Sequence, residues 1–114
     1  LIITGGFRSQ NAMEDALSSG HLDLVGVARP FALVPDLANK MQNGTYQTVQ
    51  TDRIQTGVAL VDKKAGAMLE MNWYMTQMDL IGQSKQPNLK LSAWKVLLKT
   101  LWENGKAGLS TGRA

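Results

Sequence analysis

The sequence predicts an α/β fold that is mostly helical, with two parallel strands near its start and a long helical region after them. Three observations predict it. Two short apolar runs, at residues 1–4 and 22–27, are each followed by a glycine-containing or proline-containing turn and a helical segment. From residue 58 onward apolar residues recur every three or four positions, which is the period of a helix. Hydrophobic residues make up 44% of the 114 and charged residues 18%, the balance of a folded chain and not of a disordered one.

The elements follow in order. Leu1-Ile2-Ile3-Thr4 is apolar and β-branched and ends at Gly5-Gly6, a buried strand closed by a tight turn. Ser9 is suited to cap the next helix. Ala12, Met13, Ala16 and Leu17 form its apolar stripe, and Glu14 and Asp15 lie early, as the helix dipole prefers. Gly20 supplies a left-handed stop. Leu22-Asp23-Leu24-Val25-Gly26-Val27 is the second strand. Ala28-Arg29-Pro30 follows it, and Pro35-Asp36 leads into a second helical segment ending near Gly44.

Strands joined through a helix run parallel with a right-handed crossover. Their continuous apolar character predicts burial on both faces. Two strands cannot finish a sheet, because each leaves an open edge. The expectation is that another copy of the chain pairs with those edges, giving a homo-oligomer. The chain also opens within its first strand, so the expectation is a piece of a larger enzyme.

Residues 45–57 are polar and weakly patterned and read as a connection. Residues 58–114 read as a helical extension. A long helix over about 58–83 carries Met68, Met71, Met75 and Met78 at steps of three and four, with Leu69, Trp73 and Leu80 on a second face. Apolar over most of its circumference, it should be sandwiched between neighbours. Residues 83–87 break it. A last helix over about 90–104 aligns Leu91, Trp94, Leu98 and Leu101, with Trp102 beside them and Gly105 placed to end it. Helical spacing makes the methionines and the tryptophans candidates for internal core.

Bulk properties exclude several functions. The chain has no cysteine, so it has no disulfide framework, thiolate metal site or cysteine nucleophile. That composition fits a reducing compartment, and a cytoplasmic location is the expectation. No apolar run approaches the ~18 residues needed to span a bilayer, so no membrane partner is expected. The net charge of +3 is uneven: residues 1–57 carry four basic and five acidic side chains, residues 58–114 eight and four. The lysines are scattered and form no dense patch, so no nucleic-acid partner is expected. His21 is the only histidine and stands at the start of the second strand, away from its carboxyl end, where it reads as an exposed turn residue. No metal ligands and no catalytic residues are expected.

The chemistry concentrates at the two strand ends. Thr4-Gly5-Gly6-Phe7-Arg8-Ser9 follows the first strand, and Gly26-Val27-Ala28-Arg29-Pro30 follows the second. In parallel α/β structures ligands bind at the carboxyl ends of strands. Glycines let backbone N–H groups approach an anion, and a helix N-terminus favours negative charge. Arg29 adds a charge-assisted contact suited to phosphate. Two adjacent strand ends of this kind match the phosphate site often found after the last two strands of a (β/α)8 barrel.

Ile3-Thr4-Gly5-Gly6-Phe7-Arg8-Ser9, Asp23-Leu24-Val25-Gly26-Val27-Ala28-Arg29-Pro30-Phe31 and Pro35-Asp36-Leu37 resemble the end of the old yellow enzyme family, the FMN-dependent NADH:flavin oxidoreductases and ene-reductases. The resemblance covers residues 1–44, and the later Trp73-Tyr74 helix looks like the C-terminal extension of one bacterial and fungal branch. It implies a TIM (β/α)8 barrel of which this chain is the C-terminal fragment, strands 7–8 with their helices, followed by the helical extension. It implies that backbone amides of Gly5, Gly6 and Phe7 hold the FMN phosphate, together with the amides of Ala28 and Arg29 and the Arg29 guanidinium. Phe31 and Pro30 would line the edge of that site. The family's substrate-holding side chains and its proton-donating tyrosine lie upstream, so neither Tyr46 nor Tyr74 takes that role. Some relatives insert a C-terminal arginine into a neighbouring subunit, which makes Arg113 a speculative counterpart.

Two functions are expected from these residues. One is a share in an FMN-dependent oxidoreductase that passes hydride from NAD(P)H to a small electron-poor acceptor. The other is a non-catalytic module that binds phosphate or offers a helical interaction surface.

Overall fold

The computed structural model describes residues 1–111, with side chains described through Ala107. Seven elements follow one another: β1 (Ile2–Thr4), α1 (Gln10–Ser18), β2 (Leu24–Gly26), α2 (Arg29–Leu33), α3 (Leu37–Gln42), α4 (Ala59–Gly82) and α5 (Ala93–Thr111). Helices hold 55% of the chain. The chain divides into two compact units, Leu1–Thr51 and the residues from Asp52 onward. The division falls inside the segment that reads as a connection.

In the first unit β1 and β2 pair in parallel, with Ile2 opposite Leu24, Ile3 opposite Val25 and Thr4 opposite Gly26. They form a two-stranded sheet, so among the described residues each strand keeps one unpaired edge. The crossover between them is α1. Its N-terminus is closed by Ser9, in extended backbone, whose Oγ accepts from the Ala12 N–H at 3.3 Å. Gly20 takes φ +73°, the left-handed stop its sequence position predicts.

Burial on both faces is not observed for these strands: Ile2, Ile3 and Leu24 are exposed. A three-residue strand offers few side chains, and this unit places its buried residues elsewhere, at Met13, Pro30, Leu33 and Leu37. The helical segment after β2 is split into α2 and α3. Val34 precedes Pro35 and takes φ −132°, ψ 85°, because proline's ring excludes helical backbone from the residue before it.

The second unit is a helical hairpin. Leu69, Trp73, Tyr74 and Gln77 of α4 are buried, as are Ala93 and Val96 of α5. The Trp73 and Tyr74 rings meet edge to face, with centroids 5.0 Å apart. At the start of α4 the Asp62 carboxylate accepts from the Thr56 N–H at 2.7 Å, the Thr56 hydroxyl at 2.8 Å and the Gly57 N–H at 3.1 Å. These donors, the Thr56 amide first, hold the Asp62 carboxyl below its ordinary range, with the positive charge of Arg53 as a smaller contribution. At the far end of α4 Ser84 takes φ +59°. Its N–H donates to the Ile81 carbonyl, and the Lys85 N–H to that of Leu80, both at 2.9 Å. This is a Schellman closure with serine where glycine is usual.

Three expectations for this unit are corrected. The methionine stripe is not core: Met68, Met71, Met75 and Met78 are all exposed, and α4 buries Leu69, Trp73, Tyr74 and Gln77 instead. Of the tryptophans only Trp73 is buried; Trp94 and Trp102 are exposed, and α5 buries Ala93 and Val96 instead. The last helix starts at Ala93 and continues past Gly105 to Thr111. A glycine in a helix costs only ~1 kcal/mol relative to alanine, and Gly105 is not among the positive-φ glycines that stop a helix here.

Candidate functional site

The parallel register brings the ends of β1 and β2 to the same side of the sheet, since Thr4 lies opposite Gly26. All six residues singled out by sequence belong to these two exits: Gly5, Gly6 and Phe7 after β1, and Ala28, Arg29 and Phe31 after β2. His21 and Asp23 stand at the other end. His21 is exposed and its ring and backbone nitrogens meet only the Ser19 hydroxyl, at 3.2 and 3.3 Å. The Asp23 carboxylate pairs with the Leu1 amino group. No group of three metal-ligating side chains exists among the described residues.

The two adjacent glycines of the first exit have different duties. Gly5 and Gly6 take φ +98° and +81°, a left-handed pair that side-chain-bearing residues adopt at a cost. A Cβ at either position would meet nothing within 4 Å, so the requirement is conformational. The Gly5 N–H donates to the Gly26 carbonyl at 3.1 Å, extending the ladder by one step. That amide is therefore spent on the sheet. The N–H groups of Gly6 and Phe7 have no partner among the described residues and are the ones left to meet a ligand.

The first exit is tied down from a distance. The Tyr46 hydroxyl donates to the Arg8 carbonyl at 2.7 Å. Tyr46 is held in turn by its own N–H on the Lys40 carbonyl at 3.1 Å. Tyr46 lies in the polar, weakly patterned segment 45–57. A lone aromatic in a polar segment was the available signal, but nothing in sequence names a carbonyl 38 residues away.

The second exit depends on Gly26 for a steric reason. A Cβ there would lie 2.4 Å from Thr4 Oγ1 and 3.0 Å from Thr4 Cβ. The strands approach so closely at their exits that only glycine fits. Ala28 then precedes α2 without a side-chain cap. Arg29 is exposed at the first position of α2, Pro30 is buried behind it, and Phe31 is exposed.

The site thus combines consecutive backbone N–H groups from a left-handed turn with an arginine at a helix start. This donor set suits an oxyanion such as phosphate. It contains no general base, nucleophile or metal-ligand set. None of the helices among the described residues is long and apolar enough to cross a membrane. The arginine near the chain end, Arg113, lies outside the described residues.

No protein-family profile matches the chain, and no solved structure matches it. Two curated proteins are similar to it. An NADH-dependent flavin oxidoreductase, iliE of Neonectria sp. (strain DH2), is 36% identical over 81 residues, which is 70% of this chain and 10% of that protein. A second NADH-dependent flavin oxidoreductase, iccE of Talaromyces variabilis, is 51% identical over 35 residues, 31% of this chain and 8% of that protein. The chain spans about a tenth of the length of the curated relatives it matches. It is a distant partial relative of NADH-dependent flavin oxidoreductases.

Proposed function

We propose that the chain supplies the FMN-phosphate grip of an FMN-dependent NAD(P)H oxidoreductase of the old yellow enzyme type. Its two strands would then be the seventh and eighth of a (β/α)8 barrel, and α4 and α5 a helical extension. The observation that carries this reading is the pair of amides at Gly6 and Phe7, which have no partner among the described residues, beside the exit that carries Arg29. The flavin oxidoreductase names of both relatives support it.

The residues fit a phosphate monoester. Gly5 turns the chain and keeps its N–H in the sheet, while the N–H groups of Gly6 and Phe7 remain as donors. Arg29 neutralises the dianion. Gly26 lets the exits approach closely enough for both to reach one group. Phe31, exposed beside Arg29, offers an apolar wall. The chemistry that a flavin held here would supply is hydride transfer from a nicotinamide to an electron-poor acceptor. This chain's residues bind and orient it, and no side chain here moves a proton.

The test compares FMN with riboflavin, which differs only in lacking the phosphate, by following backbone amide shifts of the full chain. FMN and inorganic phosphate should move the Gly6 and Phe7 resonances, and riboflavin should not. Arg29→Ala should weaken the effect ~10-fold or more, the usual loss for a hydrogen bond to a charged group. Equal shifts from riboflavin, or none from FMN at ~10 mM, would overturn the proposal.

A further inference from the structure

We propose that the exposed methionine face of α4 is a homodimer interface, formed by two copies of this helix packed antiparallel. It involves residues of the second unit alone.

The face is regular. At about 100° per residue, Met68, Met71, Met75 and Met78 fall within one quarter of the helix circumference. Their spacing of three, four and three is that of a helix seam made to meet another helix. The buried residues Leu69, Trp73 and Gln77 occupy the opposite side. The methionines are 39%, 58%, 50% and 48% exposed, and Leu60, 64% exposed, continues the stripe toward the N-terminus of α4. Solitary exposed apolar residues are ordinary, but an aligned row over the length of a helix marks a contact surface. Methionine suits a self-contact, because its flexible side chain fills irregular gaps.

Charge selects the occupant and the direction. Lys64 lies on the stripe toward one end, and Asp79 beside it toward the other. Both are exposed, and Asp79 keeps 67% side-chain exposure while Lys99 stands 3.9 Å away. A second copy laid antiparallel about an axis near Met71 and Asn72 sets Lys64 beside the second copy's Asp79, twice by symmetry. The same register sets Met68 beside the second copy's Met75. A parallel copy would instead set lysine on lysine and aspartate on aspartate.

The size is also adequate. The 24 residues of α4 rise ~36 Å, and a face two helices wide spans ~20 Å. That gives roughly 700 Å², close to the ~800 Å² per partner of a stable interface. The second helix contributes the rim: a groove of about 310 Å³ runs between Met68, Met71 and Met75 and the α5 residues Val96, Lys99 and Glu103.

Sedimentation velocity of the full chain at ~10–200 µM, the range where an interface of this size is populated, should show a species of twice 12.4 kDa. Replacing Met71 and Met75 by glutamine, a good helix former, should weaken association at least ~10-fold with helical dichroism unchanged. Lys64→Glu should weaken it ~3–10-fold, and adding Asp79→Lys should restore it. A chain that stays monomeric throughout, or a dimer indifferent to the glutamine pair, overturns the interface. A Lys64→Glu effect that Asp79→Lys does not rescue overturns the antiparallel register.

Discussion

Gln77 is the most consequential side chain of the helical unit, and its role can be tested through pH. It is fully buried, with 0% exposure. Its Nε2 donates to the Asn88 carbonyl at 2.8 Å, and its Oε1 accepts from the Asn88 N–H at 2.7 Å. One side-chain amide thus serves both backbone groups of a loop residue, as a neighbouring strand would. Trp73 adds a third tie, its indole N–H donating to the Leu91 carbonyl at 2.9 Å.

Gln77→Ala removes two hydrogen bonds, strands both polar groups of Asn88 and leaves a small void, an expected loss of ~2–4 kcal/mol. For a unit this small that lowers the melting temperature by ~10–20 °C. Gln77→Glu keeps the shape and separates the causes. Protonated, its hydroxyl can donate to the Asn88 carbonyl and restore both bonds. Ionised, it sets a buried charge against that carbonyl, so its folded pKa must rise above the ordinary ~4.3. A group whose folded pKa is raised contributes below its unfolded pKa and loses that contribution as pH rises through the folded value. The variant should therefore approach wild-type stability near pH 4 and match or exceed the alanine penalty at pH 7. Urea unfolding followed by tryptophan fluorescence reads this unit alone, because all three tryptophans lie beyond Asp52. A Gln77→Glu penalty that does not change with pH, or an alanine variant within ~0.5 kcal/mol of wild type, would refute the role given to this amide.

Three further outcomes are expected. Gly26→Ala should loosen the strand exits by ~1–3 kcal/mol, because its Cβ has to displace Thr4; faster hydrogen exchange at the Gly5 amide and loss of the FMN-induced shifts at Gly6 are the readouts. Ser84→Gly should stabilise the helical unit by ~0.5–1 kcal/mol in urea, since it removes the left-handed strain of a side-chain-bearing residue. Asp62 has a lowered folded pKa, so its contribution is complete above the ordinary aspartate value of 3.8 and disappears as pH falls below it; Asp62→Asn should flatten that part of the acid-unfolding profile.

Local features were legible in sequence because they are local. Ser9 as a cap, Gly20 as a stop and the parallel order of two apolar runs follow from rules that act over a few residues. What remained hidden depends on distant partners. Helical spacing identifies a seam but not what it meets, so Met71 and Trp94 read the same as Leu69 and Trp73. The sequence pattern does not single out Gln77, because a polar side chain is buried only when something satisfies it, and its partner Asn88 lies across a loop. The same distance hid the hold of Tyr46 on Arg8.

At the two strand exits a sequence pattern and a register carry different information. A run of two glycines says that the backbone turns left, not which amides stay inside. The register settles that question: pairing Thr4 with Gly26 commits the Gly5 N–H to the Gly26 carbonyl and leaves those of Gly6 and Phe7 without a partner among the described residues. The three glycines are therefore unequal. Gly26 is required by contact, since any Cβ strikes Thr4, whereas Gly5 and Gly6 are required by conformation, since a Cβ there meets open space. A bulky residue at Gly26 should damage the sheet first and ligand binding as a consequence. A residue at Gly6 that tolerates left-handed backbone, such as asparagine, should spare both. An anion grip built from backbone N–H groups tolerates side-chain exchange and fails when the backbone path changes, which makes Gly6→Asn against Gly6→Val the sharper comparison than any truncation to alanine. Asparagine should keep the FMN-induced shift at Phe7 and β-branched valine should abolish it; equal retention by both would mean that the left-handed turn is not what presents these amides.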